Sequence, residues 1–185
     1  MDVRHLPLDE LNAGLPAIRQ APADDGEVRM IARRPALGDR ELLEEAELST
    51  QVGLVGDNWE TRGQQQTPPR EPNPEAQLTL MGVRAADLVA GGDRDRWALA
   101  GDQLYVDLDL SRANLPPGSR VRMGDAIVEI TAEPHPGCKK FVERFGMDAM
   151  TFVNSEEGRQ LCLRGVNAKV IQGGTIRVGD PITKA

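Results

Sequence analysis

Residues 104–131 read LYVDLDLSRANLPPGSRVRMGDAIVEIT, and this stretch decides the fold class of the chain. It contains three short runs rich in apolar residues, at 104–108, 120–123 and 126–131. A Pro-Pro-Gly turn at 116–118 and a Gly-Asp turn at 124–125 separate them. Because short apolar runs bounded by such turn residues are typical of β-strands, the stretch predicts several strands at close spacing. We therefore expect a mainly β protein, folded as a closed barrel or a sandwich.

The flanking segments add strands on both sides of this stretch. Residues 27–32 alternate between polar and apolar side chains, and residues 77–81 form another apolar run. Residues 84–90 predict a short helix ended by a glycine pair, because glycine commonly terminates helices. Near the C-terminus, residues 168–171 and 175–178 are separated by two glycines and predict a hairpin.

Three further segments are assigned by composition and alternation. Residues 39–47 are polar and compatible with a helix, whereas residues 53–74 contain four prolines and no apolar period. The latter segment predicts a long surface loop. Cys162 alternates with Leu161 and Leu163, which predicts a strand with a buried, inert thiol at this position.

The length predicts one domain, because 185 residues can form a single core but are few for two. Residues 1–29 contain several proline and glycine breakers and predict an N-terminal extension. Residues 30–182 predict the folded barrel domain, and residues 183–185 form a short tail.

The composition excludes several classes of protein. A formal net charge of −7 argues against a nucleic-acid partner, which would require clustered positive charge. The sequence contains no apolar run of about 18 residues, so we expect no membrane span. The N-terminus lacks a basic start followed by an apolar core, which predicts a cytoplasmic protein without a signal peptide.

The two cysteines and the short motifs narrow the chemistry. Two cysteines do not make a disulfide framework, so both are expected to be free thiols. The sequence contains no CxxC, HExxH, P-loop or GxGxxG motif. The common zinc, nucleotide and dinucleotide sites therefore have no sequence support.

Residues 133–154, EPHPGCKKFVERFGMDAMTFVN, place a thiol beside a histidine and several cations. Cys138 follows a Pro/Gly turn and precedes a helix expected from Lys139 onward. A thiolate attacks electrophiles and binds metals, and nearby positive charge favours it. His135 could donate a proton or activate this thiolate. Alternatively, helical spacing places Cys138 on one face with two phenylalanines, as a small core residue.

This stretch, continued by GRQLCLRGVNAKVIQGGTIRVGDPI at 158–182, resembles the MOSC domain, named for the C-terminal domain of molybdenum cofactor sulfurase. The upstream run 100–131, AGDQLYVDLDLSRANLPPGSRVRMGDAIVEIT, is also similar to the family. The resemblance covers about residues 30–182. It implies a β-barrel of short strands with a few short helices. It also implies that a cysteine, matched here by Cys138, carries sulfur or ligates the molybdenum of a pterin cofactor.

The resemblance implies more than one function. In the first, the chain binds a molybdenum-pterin cofactor and acts as an oxidoreductase that reduces N-hydroxylated compounds, with a redox partner. In the second, it is a non-catalytic carrier whose Cys138 accepts a persulfide from a pyridoxal-phosphate cysteine desulfurase. A third possibility is an interaction module with an inert thiol. Two chains could also pair as a homodimer to complete the ligand pocket.

Cationic residues near the cysteine are candidates for the anionic part of a ligand. Arg144 and Arg164 could grip a phosphate such as that of a pterin cofactor, because a guanidinium binds phosphate through two hydrogen bonds. The alternative for Arg164 is a salt bridge with Glu133 or Asp148. Lys139 is a weaker candidate, since a lysine at a helix start commonly faces solvent.

Amide and aromatic side chains complete the predicted site. Asn154 and Asn167 could bind a heterocycle or could cap turns. The early loop GLVGDNW at 53–59 resembles a loop of the family, which makes Asp57, Asn58 and Trp59 candidates for ligand binding. Trp59 would either stack on a flat ring or pack within the protein.

Overall fold

The protein is described by a computed structural model covering residues 3–185. Within them the chain forms eleven strands: β1 (Gly26–Arg33), β2 (Glu41–Leu43), β3 (Glu45–Ser49), β4 (Gly53–Leu54), β5 (Leu78–Gly82), β6 (Leu104–Asp107), β7 (Arg120–Met123), β8 (Ala126–Ile130), β9 (Val166–Gln172), β10 (Gly174–Arg177) and β11 (Pro181–Lys184). It also forms six α-helices: α1 (Leu8–Ala13), α2 (Leu15–Ile18), α3 (Val83–Val89), α4 (Lys139–Phe145), α5 (Met147–Asn154) and α6 (Glu156–Gln160). Two 3-10 helices span Pro74–Ala76 and Arg94–Ala100.

Seven strands close into a mixed barrel. Their order is β11-β7-β8-β9-β5-β6-β1, and β1 pairs with β11 to close the ring. All neighbours in the ring are antiparallel except β5 and β6, which are parallel. Strand β2 extends the sheet beside β1, and β10, β3 and β4 form a separate small sheet. The prediction of a mainly β protein built as a closed barrel is confirmed.

Strand alternation divides the apolar side chains between two cores. Leu80 and Val106 belong to the core made by the strands, and both are fully buried. Their neighbours Met81 and Tyr105 point to the opposite face of the same strands, where the helices cover them. Successive strand residues face opposite sides, so one barrel wall serves both cores. Helices α4 and α5 are therefore fixed against the barrel wall.

The segment that we predicted as an N-terminal extension contributes to the second core. Leu11 in α1 and Leu15 in α2 are buried there. Residues 1 and 2 of this extension lie outside the described residues. The boundaries predicted at residues 29–30 and 182–183 stay predictions, although β1 and β11 run across them.

Two secondary-structure predictions are wrong. Residues 39–47 are not helical, because they lead into β2 and β3. Glutamates at 45 and 47 resemble a helix surface in composition, but they alternate with Ala46 and Leu48, and Leu48 is buried. Strands β9 and β10 do not form a hairpin, since β10 pairs with β3 while β9 pairs with β5 and β8.

The predicted strand around Cys162 is also wrong. Residues 161–164 form a turn after α6, and Cys162 has a positive φ of 51°. Its thiol is partly exposed, and burial raises its pKa. In residues 3–185, no helix has the length and apolarity needed to cross a membrane.

Candidate functional site

A cleft of about 480 Å³ contains most of the predicted site residues. We call it the cationic cleft, because its lining includes six Arg and Lys side chains: Arg34, Arg40, Arg62, Lys140, Arg144 and Arg164. Cys138 and His135 line the same cleft, with Glu133 as an acidic neighbour. In a chain whose net charge is −7, this concentrates positive charge at one place.

Cys138 is exposed in this cleft and immediately precedes α4. The interpretation of this cysteine as a buried core residue is therefore wrong. Phe141 and Phe145 of α4 fill the core instead, and each is 1% exposed. The thiol lies where a ligand in the cleft can reach it.

Asn154 holds the turn that presents the thiol. Its Oδ1 accepts a hydrogen bond from the Gly137 backbone N–H at 2.9 Å, and its Nδ2 donates to the Gly137 carbonyl at 3.4 Å. A Cβ atom at Gly137 would lie 2.7 Å from the Met150 sulfur, so a larger residue there would require the Met150 side chain to shift. Asn154 thus positions the residue before Cys138, and it does not line the cleft.

Asn167 fixes the start of the same loop. Its Nδ2 donates to the carbonyl oxygens of Glu133 and Pro134, both at 3.1 Å. Unlike Asn154, it also lines the cationic cleft. Both asparagines therefore shape the cysteine loop through backbone contacts.

Asp102 is a fully buried carboxylate that joins two cleft residues. Its Oδ2 accepts from Nη1 of Arg164 at 2.6 Å, and its Oδ1 lies 2.8 Å from Nε2 of His135. The charge of Arg164 and the contacts of His135 outweigh the cost of burial and hold the pKa of Asp102 well below its usual range. Asp102 is therefore ionised and anchors both side chains.

The environment of His135 favours the neutral imidazole. Burial first, and the Arg164 charge second, lower the pKa of His135. Because an ionised carboxylate can only accept hydrogen bonds, Nε2 must carry the ring proton and donate a hydrogen bond to Asp102. The other ring nitrogen, Nδ1, is left unprotonated. The predicted role of His135 as an activator of Cys138 stays a prediction, since its hydrogen bond goes to Asp102.

Arg164 is only 7% exposed and has one donor without a partner. Nη1 and Nη2 donate to Asp102 and to the Ala100 carbonyl, and the guanidinium lies 5.1 Å from the Phe141 ring centre. The buried Nε–H has no hydrogen-bond partner among residues 3–185. A buried donor left unpaired is costly, so this atom points to a ligand that accepts a hydrogen bond.

The salt-bridge partners predicted for Arg164 are wrong. The guanidinium pairs with Asp102 and with neither of the predicted acids. The Asp148 carboxylate instead accepts from the Leu8 backbone N–H at 3.1 Å, at the start of α1. Glu133 lines the cleft with its side chain exposed.

The three candidate residues of the early loop, Asp57, Asn58 and Trp59, have different positions and contacts. The buried Asp57 side chain holds Arg34 through two contacts, Nη2 to Oδ2 at 2.7 Å and Nε to Oδ1 at 3.0 Å. Asn58 lines the cleft, and within the described part of the chain its buried Oδ1 has no hydrogen-bond partner. Trp59 is 6% exposed and borders a separate depression, so the structure does not bring it to the cationic cleft.

The two adjacent lysines differ in position. Lys139 is exposed and does not line the cleft, whereas Lys140 does. Arg144, one turn further along α4, also lines the cleft, and its role in binding an anion stays a prediction. Its Nη1 donates to the Leu99 carbonyl at 2.6 Å.

Sequence reasoning missed four residues of the site: Arg34, Arg40, Arg62 and Asp102. Asp102 lies at the start of the run 100–131 that resembles the family, but its burial depends on the fold and has no local sequence signal. Arg34 directly follows β1, and its side chain is buried against Asp57. No local pattern marks Arg40 or Arg62 as members of a cleft.

Comparisons with known proteins give a family and a fold. Residues 75–183 match the family model described as MOSC domain. No curated protein matches the chain. The similar solved structures are only 13–19% identical to the chain, so they show the fold alone.

Three solved structures share this fold. The YuaD protein from Bacillus subtilis superposes with a TM-score of 0.66 at 16% identity, over 85% of this chain and 93% of that one. YiiM from Geobacillus stearothermophilus has a TM-score of 0.58 at 13% identity, over 86% and 75%. YiiM from Escherichia coli has a TM-score of 0.55 at 19% identity, over 86% and 69%.

Proposed function

The chain belongs to the MOSC domain family, and from this premise we propose that it binds a molybdenum-pterin cofactor through Cys138. One observation carries this proposal: the exposed Cys138 thiol and the unpaired, buried Nε–H of Arg164 line the same cationic cleft. The accessible thiol is a soft ligand for the metal of such a cofactor, and the Nε–H is a hydrogen-bond donor for its anionic part.

The donor set of the cleft fits such a group. A cysteine thiolate is a soft ligand of the kind that binds soft metal centres. Arg164 and Arg34 carry fixed positive charge, because buried carboxylates hold them in place. Their remaining donors would hold the anionic part of the cofactor. The unpaired Oδ1 of Asn58 would accept a hydrogen bond from the heterocycle.

The bound cofactor would supply oxygen-atom transfer, with reduction of N-hydroxylated compounds as the reaction class that the family suggests. The chain's own residues would bind and orient the ligand. Asp102 keeps the guanidinium of Arg164 directed at the cleft and keeps the Nε2 proton on His135. Any proton accepted by His135 would therefore arrive at Nδ1.

Molybdenum and pterin contents of purified protein test this proposal. The protein is produced in a molybdenum-replete host as wild type, Cys138→Ser and Cys162→Ser. We expect molybdenum with the wild type and with Cys162→Ser, and a large loss with Cys138→Ser. Cys162→Ser is the matched control, because it removes the only other thiol. Absence of molybdenum from all three proteins, or equal molybdenum in all three, would refute the proposal.

The second candidate function is a persulfide carrier, which the exposure of Cys138 also favours. A pyridoxal-phosphate cysteine desulfurase would release alanine from free cysteine and hold the sulfur as a persulfide on its own cysteine. The Cys138 thiolate would attack the outer sulfur of this persulfide, which forms the Cys138 persulfide and returns the desulfurase cysteine to its thiol. Mass spectrometry after incubation with desulfurase and cysteine would show one added sulfur on Cys138. The two functions separate with Arg164→Gln, which should weaken cofactor binding and leave persulfide formation unchanged. We also propose a cytoplasmic location, a redox partner and a homodimer, as the sequence analysis predicted.

A further inference from the structure

Four consecutive backbone carbonyls, those of residues 98–101, each accept a hydrogen bond from a different arginine. The contacts are Arg40 Nε to Ala98 O at 3.2 Å, Arg144 Nη1 to Leu99 O at 2.6 Å, Arg164 Nη2 to Ala100 O at 2.8 Å and Arg34 Nη1 to Gly101 O at 3.1 Å. We call these four side chains the arginine row. The carbonyls lie at the C-terminal end of the 3-10 helix Arg94–Ala100, where Ala98 O also accepts a hydrogen bond from the Gly101 N–H.

The arginine row divides into two pairs by burial and by partner. The inner pair, Arg34 and Arg164, is buried, and each member forms an ion pair with a buried carboxylate. The outer pair, Arg40 and Arg144, is half-buried. Neither member of the outer pair has a carboxylate oxygen within 4.0 Å among residues 3–185. The outer pair therefore carries positive charge that no ion pair within the described chain balances.

The two outer guanidinium groups converge over Gly101. A Cβ atom on this glycine would lie 3.6 Å from Nη2 of Arg40 and 3.9 Å from Nη1 of Arg144. Burial first, and the Arg144 charge second, lower the pKa of Arg40. Two like charges held together by backbone carbonyls are unfavourable unless an anion lies between them. Gly101 leaves open the space that a side chain would otherwise fill.

We propose that Arg40 and Arg144 form a second anion subsite, which binds a carboxylate, phosphate or sulfonate group of the substrate. This inference rests on the proposed function, in which the cofactor is held by Cys138 and the inner pair. Nη2 of Arg40 and Nη1 of Arg144 border the same space at Gly101, and guanidinium donors suit a planar or tetrahedral oxyanion. The substrate class that follows is an anionic compound, whose charged group lies at Gly101 while its reacting group lies near Cys138.

The phosphate of the cofactor is the alternative anion for the outer pair, in place of the charged group of a substrate. If the outer pair held that phosphate, a cofactor-loaded protein would have no free anion subsite. If the outer pair serves the substrate, the loaded protein still binds an added anion there. Inorganic phosphate is the probe that separates these cases, because it needs no knowledge of the substrate.

The experiment is calorimetric titration of the purified protein with inorganic phosphate at low ionic strength, with molybdenum measured in the same sample. Low salt is needed because ions screen partly exposed charges. We compare the wild type with Arg40→Gln, Arg144→Gln and Arg144→Lys. Arg120→Gln is the matched control, since Arg120 pairs with Glu129 outside the cleft. Thermal unfolding of each variant shows that it is folded.

We expect Arg40→Gln and Arg144→Gln each to weaken phosphate binding about tenfold or more, which is the value of one charge-assisted hydrogen bond. Arg144→Lys should recover part of the loss, and Arg120→Gln should bind like the wild type. Binding that persists in molybdenum-loaded protein supports the substrate subsite. Phosphate binding that the outer-pair variants leave unchanged, or that disappears when molybdenum is present, overturns it.

The phosphate titration tests the anion subsite separately from the molybdenum measurement, which tests the proposed function. Protein without molybdenum whose phosphate binding depends on Arg40 and Arg144 would refute the cofactor and retain the anion subsite. Protein with molybdenum whose phosphate binding is indifferent to both arginines would refute the subsite and retain the cofactor.

Discussion

Replacing Asp102 by asparagine tests whether a buried charge organises the cationic cleft. The substitution preserves the size of the side chain and removes its negative charge. Arg164 would then keep a buried positive charge without a carboxylate to balance it, because the introduced amide offers one neutral oxygen acceptor beside the Ala100 carbonyl. His135 would lose the carboxylate that accepts its Nε2 proton.

The expected loss follows from the burial of the pair. Asp102 is fully buried and the Arg164 side chain is 8% exposed, so solvent screens their interaction little. Removing one partner of such a pair typically costs about 3–5 kcal/mol, because the other charge stays buried without compensation. A natural domain has about 5–15 kcal/mol of stability in total. Asp102→Asn should therefore still fold, with a greatly reduced free energy of unfolding.

Urea unfolding at pH 7 measures this loss, and a double variant supplies the control. Asp102→Asn combined with Arg164→Met removes both charges and keeps most of the buried volume. We expect the double variant to be more stable than Asp102→Asn, since no uncompensated charge remains. A loss below about 1 kcal/mol in Asp102→Asn, or strictly additive losses in the double variant, would refute the reasoning.

Three further predictions follow from the site and the barrel. The free energy of unfolding should fall as the pH drops below about 6.5, the usual pKa of histidine. Burial lowers the pKa of His135, so the unfolded chain takes up a proton that the folded protein resists. The anionic reagent dithiobis-nitrobenzoate should modify Cys138 faster than Cys162, and added salt should slow the reaction, because cations surround the exposed thiol. Gly165→Ala should lower the free energy of unfolding by at least about 1–3 kcal/mol, because φ is 109° and a Cβ would lie 2.4 Å from the Leu80 carbonyl oxygen.

Each of these predictions has a control and a contradicting result. His135→Gln should remove part of the pH dependence, and an unchanged profile would contradict the assignment. Cys162→Ser should keep the fast reaction and Cys138→Ser should lose it, whereas equal rates would show that the cleft does not favour the first thiol. Gly179→Ala has a similar φ of 93° with no atom within 4 Å of its Cβ. A Gly165→Ala loss no larger than that of Gly179→Ala would exclude the steric clash.

The barrel was predictable because its strands are encoded locally. Strands β6, β7 and β8 are short apolar runs between proline and glycine turns, and the structure forms them as predicted. Strand β3 was missed because its glutamates favour a helix by composition, while its pairing with β10 decides the structure. The false hairpin of β9 and β10 has the same cause, since their partners are distant in sequence.

The sequence predicted the candidate site only where its residues are adjacent in the chain. The turn at 133–138 combines proline, glycine, histidine and cysteine within six residues, so the sequence identified it directly. The arginine row brings together residues from three segments, around 34–40, 144 and 164, at the carbonyls of residues 98–101. Backbone acceptors carry no sequence signal, and for this reason Arg40 and the buried Asp102 emerged only from the fold.

Molybdenum K-edge X-ray absorption of the purified protein tests the central claim most directly, because it counts the sulfur atoms bound to the metal. The wild type and Cys162→Ser should show one more sulfur ligand at molybdenum than Cys138→Ser shows in whatever molybdenum it retains. Identical sulfur coordination in all three proteins would contradict a metal bound by the Cys138 thiolate.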